Sequence, residues 1–94
     1  MAEKKSYNQK LVNIGEYLTQ KRKALGKQFE TREKFIELRS DEIFNGVPWI
    51  SSRHLANIEL GKNWLSLEML IKHAYALEMD PNELFLEILQ IYRE

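Results

Sequence analysis

The chain has 94 residues, 44% of them hydrophobic and 30% charged, which suits one small domain rather than a disordered chain. It has no Cys, which excludes disulfides and thiolate metal sites, and no apolar run approaches a membrane span. Formal net charge is zero, but residues 1–40 hold ten Lys or Arg against five Asp or Glu, and residues 41–94 hold four against nine.

A chain so polarised can turn a basic side toward phosphates and an acidic side away from them; two solvated faces are the plainer account. Met1–Ser6 lacks the apolar stretch of a secretory signal, so a cytoplasmic protein with no membrane partner is expected. A core this small makes dimerisation a source of extra stability.

Residues 1–10 read as a flexible polar arm. Its Lys4, Lys5 and Lys10 serve either to touch a nucleic-acid backbone or only to solubilise. From Leu11 to Leu25 the spacing of Leu11, Ile14, Leu18 and Leu25 predicts a helix stopped by Gly26. Thr31 is a cap for a second helix with Glu33 in its first turn and Phe35, Leu38 and either Glu42 or Ile43 on one stripe. That helix either runs to Phe44 or breaks near Ser40-Asp41 and restarts for one turn. Asn45-Gly46 marks its end, and Pro48 forces Val47 out of helical geometry. Phe44, Val47 and Trp49 read as extra core, with a lid or partner surface as the alternative.

The third helix, about residues 51–60, organises the chain. Ser51 is its cap, Leu55 and Ile58 face inward one turn apart, and Ile50 is an apolar anchor before the cap. Gly61 suits the left-handed residue that closes a helix, with Lys62 at the negative end of the dipole. Ser52, Arg53, His54 and Asn57 are left on the outer face, a set suited to reading base edges in a DNA major groove. Next, Ser66 to Leu77 reads as a capped helix with Leu67, Leu70, Ile71, Ala74 and Leu77 inward. Asp80-Pro81-Asn82-Glu83 starts a last helix, about residues 81–93. Its apolar arc is wide: either it is deeply buried, or Phe85, Ile88, Leu89 and Tyr92 form a two-fold interface. The expected fold is all-α, about five helices in a single domain over residues 11–94.

The run Ile50-Ser51-x-x-x-Leu55-x-x-Ile58-Glu59-x-Gly61-Lys62 resembles the recognition helix of Cro and phage-repressor-type (Xre family) helix-turn-helix proteins. Ser66-Leu67-Glu68, then Ala76-Leu77 to Leu84-Phe85, follow at the family's distances, and the resemblance spans about Ile14 to Phe85. It implies a lambda-repressor-like domain whose second and third helices form the helix-turn-helix. It also implies an ion pair between Arg22, four residues before Gly26, and Glu59. In relatives the loop after the recognition helix holds phosphates, a role that falls here on Lys62 and Asn63, together with Ser51 and with Thr31 and Arg32 at the start of helix 2. Trp64 either lies along the sugar-phosphate backbone or forms a half-buried lid on helix 4. The chain departs from the family between Phe29 and Ile50, where it carries about ten more residues than the pattern allows. Trp49 stands where the turn Gly is usual, and Leu65 where Pro is preferred.

The resemblance implies sequence-specific binding to double-stranded DNA by a small transcriptional regulator, a repressor acting as a homodimer. No enzyme, metal or cofactor is expected. His54 and His73 are the only histidines and have no ligand spacing, and no Gly-rich phosphate loop or nucleophile elbow is present. The competing class is a protein-interaction module on a helix-turn-helix frame, similar to antitoxins or mobile-element regulators, with a protein partner.

Overall fold

A computed structural model describes residues 8–94, and its described residues are all-helical, with no strand. The first helix, α1, spans Gln9–Ala24 and is capped by Asn8, whose side chain accepts from the N–H groups of Lys10 and Leu11. The polar arm is therefore shorter than the sequence predicts, because Asn8 satisfies the first-turn donors and lets the helix begin before Leu11. Lys4 and Lys5 lie outside the described residues. Lys10 lies over the ring of Tyr92, 4.8 Å from its centroid, and bonds the Tyr92 carbonyl, so it is held at the end of the last helix.

A single 3-10 turn, Lys27–Phe29, leads to α2, Arg32–Ile43, capped by the Thr31 hydroxyl. α2 is unbroken at Ser40-Asp41. The Ser40 hydroxyl bonds back to the Ile36 carbonyl at 2.6 Å, which keeps it inside the helix instead of ending it. The helix stops where Asn45 and Gly46 both take positive φ, and the Gly46 N–H returns to the Ser40 carbonyl at 2.8 Å.

Then come α3, Ser52–Glu59, α4, Leu67–Ala76, and α5, Pro81–Arg93, with Ser51, Ser66 and Asp80 as their caps. α1 packs on both α3 and α5, α2 on α3, and α4 on α5. Leu18, Phe35, Leu55, Ile58 and Leu84 are essentially solvent-free at the centre. Burying each such side chain contributes roughly 1.5–3 kcal/mol over leaving it exposed.

The segment from Phe29 to Trp49 supplies much of one side of this core. Phe35 meets Phe29 and Trp49 edge-on, at 6.0 and 5.6 Å between centroids, and Phe44 stacks on Trp49 at 5.7 Å. Trp49 in turn meets the buried His73 of α4 edge-on at 5.3 Å. Val47 is the exception: it is 62% exposed, because the Asn45-Gly46 turn and Pro48 hold its backbone on the outer rim. Two further expectations need correcting. Leu67 and Ile71 of α4 face outward, Leu67 with 75% of its surface exposed. Leu70, Ala74 and Leu77 are buried as expected, and the places on the inner side that Leu67 and Ile71 do not take go to His73 and Ala76, where α4 meets α2 and α5.

Candidate nucleic-acid interface

α3 is amphipathic by construction. Leu55, Ile58 and Glu59 are buried, while Ser52 and Arg53 are exposed and His54 and Asn57 half-buried on the remaining surface. The Ser51 hydroxyl accepts from the His54 N–H at 3.0 Å, which ties down one free donor of the first turn. At the other end Gly61, at φ 79°, closes the helix in a Schellman arrangement: its N–H bonds the Ile58 carbonyl and the Lys62 N–H bonds the Asn57 carbonyl at 2.8 Å. Lys62 and Asn63 leave this closure exposed and next to one another.

The helix is seated on α1 by its C-terminal end. A Cβ on Gly15 would stand 2.3 Å from the Glu59 carbonyl oxygen, and one on Gly61 would stand 2.5 Å from the Val12 Cα. Both glycines therefore mark a backbone-to-backbone approach that no side chain fits. Beside it, Arg22 grips Glu59 with a two-pronged contact, Nε to Oε2 at 2.9 Å and Nη2 to Oε1 at 3.0 Å. Its remaining Nη1 donates to the carbonyls of Phe29 and Glu30, so one guanidinium joins α1, the 3-10 turn and α3. Burial alone would raise the Glu59 carboxyl, but the hydrogen bonds from Arg22 and Arg32 outweigh it and hold the group below its ordinary range.

Arg32 does not stand free for phosphates. Its Nε bonds Glu59 Oε1 at 2.8 Å, so two arginines share one buried carboxylate. Thr31 is occupied as the α2 cap, accepting from the Lys34 N–H at 3.2 Å, although its surface is exposed. The Ser52 hydroxyl donates to Glu33 at 3.2 Å, which brings a carboxylate of α2 to the front of α3. Trp64 is 52% exposed and tilts against Tyr92 at 5.7 Å. It closes an apolar recess of about 130 Å³ with Leu65, Leu70, Phe85 and Ile88, so it lies over α5 as well as α4.

Of the four α5 residues expected at a two-fold interface, Ile88 is 7% exposed and belongs to the core, since it points between α1 and α4. Phe85 and Tyr92 remain 49% and 41% exposed, and Leu89 is half-buried. The structure therefore brings Ser51, Ser52, Arg53, His54, Asn57, Lys62 and Asn63 onto one helix and its exit, and sets Phe85 and Tyr92 on α5.

Three contributors are not evident in the sequence reading. Gly15 sits inside a helical pattern, and such a Gly signals close packing, though not against what. Glu33 reaches Ser52 only because α2 and α3 are packed together. Arg39 is buried over the Phe29 ring, 4.5 Å from its centroid, and pairs with Glu42 at 2.8 Å and Glu78 at 2.6 Å. Glu78 takes φ 61° just past α4, a place that usually favours Gly, and holds it while paired to Arg39.

Among the described residues no His, Asp or Glu group could hold a metal ion, and no helix is long and apolar enough to cross a membrane. No protein-family model, curated protein or solved structure matches the chain.

Proposed function

We propose that this protein is a sequence-specific double-stranded DNA-binding regulator, a repressor acting as a dimer, with α2 and α3 as its helix-turn-helix and α3 as the reading element. One observation carries the reading. A short helix is locked at its C-terminal end by the Arg22–Glu59–Arg32 cluster while its outer face carries Ser52, Arg53, His54 and Asn57. Arg53 has the fork that matches the two acceptors of a guanine, and Asn57 suits adenine. Lys62 and Asn63, with the first-turn N–H groups behind Ser51, supply phosphate anchors. A lone domain of this size covers little DNA, so two copies on half-sites about one helical turn apart are the expected mode.

The test is selection of the protein on randomised duplex DNA at two salt concentrations, with the bound fraction sequenced. A two-fold motif supports the dimeric regulator. No retained DNA at the lower salt overturns the reading. Arg53→Ala should lose preference at one position of the selected site, by roughly 1–3 kcal/mol. Lys62→Ala should instead weaken all sites alike and flatten the salt dependence.

A second reading, a protein-interaction module on the same frame, is favoured by the carboxylates that α2 sets beside the front of α3, since they oppose phosphate.

A further inference from the structure

α2 carries Glu33, Glu37 and Asp41 four residues apart, and they stand on one face of the helix. Ile36 and Ser40 lie on the same face, and across from them the chain returns through Gly46, Pro48, Ile50, Ser51 and Ser52. The two sides enclose an open groove of about 420 Å³ with an apolar floor of Ile36, Pro48 and Ile50 and a rim of three carboxylates. A Cβ on Gly46 would meet nothing within 4 Å, so the turn leaves this end of the groove open.

The described residues do not neutralise the rim. Like charges at this spacing on an exposed helix repel one another. Among the described residues, Lys34 reaches Glu37 at 3.6 Å with both side chains largely exposed, Glu33 receives only the Ser52 hydroxyl, and Asp41 has no ion-pair partner. Arg39, one turn from this face, is already held by Glu42 and Glu78 on the other side of the helix. A nucleic-acid backbone is repelled by such a rim, and a purely apolar occupant leaves the carboxylates uncompensated.

We propose that this groove docks a cationic amphipathic segment of a partner protein, with an apolar side chain on Ile36, Pro48 and Ile50 and Lys or Arg side chains on Glu33, Glu37 and Asp41. Ser51 and Ser52 line the groove and also begin α3. A docked segment therefore excludes DNA from the front of α3. That exclusion rests on the DNA reading, whereas the docking does not.

The test uses the full chain and a short fluorescein-labelled helical peptide with leucines at i, i+3, i+4 and i+7 and lysines elsewhere. A twin with glutamates in place of the lysines is the control. Anisotropy should show binding of the lysine peptide, weakened by salt, and methyl NMR should move the Ile36 and Ile50 signals. Glu37→Lys combined with Asp41→Lys should weaken binding by roughly tenfold or more at an unchanged circular dichroism spectrum. Equal binding of the glutamate twin, methyl shifts confined to the leucines and isoleucines of α5, or a double variant that binds as tightly would overturn the proposal. Self-association that competes with the peptide would overturn the partner and replace it with a second copy. If the peptide binds but no duplex is ever selected, the DNA reading falls and the groove stands.

Discussion

The two ends of α3 are held in opposite ways. At Glu59 a buried carboxylate is gripped by two arginines, and the backbone behind it touches α1 at Gly15 with no room for a methyl group. At Ser51–Arg53 the helix has one cap bond and one hydrogen bond to Glu33, both on exposed side chains. Buried ion pairs add little net stability, because desolvation offsets their attraction. What the pair supplies is orientation. At the other end the Arg53 side chain makes no hydrogen bond or ion pair among the described residues, which supports its proposed role as the working end.

The largest test of this contrast is Glu59→Gln. Arg22 then stays buried without its carboxylate, and urea unfolding should show a loss of roughly 3–5 kcal/mol. A loss below about 1 kcal/mol would mean that the two ends are not differently held.

Acid should attack the same end. Burial pushes the His73 imidazole down from 6.5 to about 4, opposed in part by the Glu59 charge. The folded state therefore favours neutral His73. Stability is complete above pH 6.5 and declines as pH falls toward 4, by about 3 kcal/mol in all. Glu59, held low by its arginines, adds a loss in the same direction once pH falls below the ordinary carboxylate range. Urea midpoints from pH 7.5 to 4 check this, and His73→Phe should flatten the slope above pH 5.

The smallest effects belong to the front of the helix. Ser51→Ala should cost about 1 kcal/mol through the lost cap, and Arg53→Ala should change stability by no more than about 0.5 kcal/mol. A larger loss at Arg53 would show that the side chain serves the fold and not a ligand.

Helix positions were legible where local chemistry set them. Thr31, Ser51, Ser66 and Asp80 all cap as expected, and Gly61 closes α3, because each acts on backbone groups within a few residues; Asn8 caps α1 inside a stretch expected to be a loose arm. Arg22 and Glu59 were paired from a resemblance, not from spacing; nothing local connects residues thirty-seven positions apart. The second arginine on Glu59 was missed for the same reason, and Arg32 was expected at a phosphate. Periodicity also misjudged α4, since Leu67 and Ile71 fit an apolar stripe yet face outward while His73 lies inside.

The amino-acid sequence alone determined the helical class, the caps, the stop signals and the polar outer set on α3, all of them matters of neighbouring residues. Only the tertiary structure decided which charges are spent. Arg22, Arg32 and Arg39 count as three cations in the basic half of the chain, yet each is bound to carboxylates from elsewhere in the fold. The tertiary structure also decided that Ile88 is core and Val47 rim, and that three α2 carboxylates flank the front of α3. Charge and burial depend on neighbours in space, which a linear pattern does not contain.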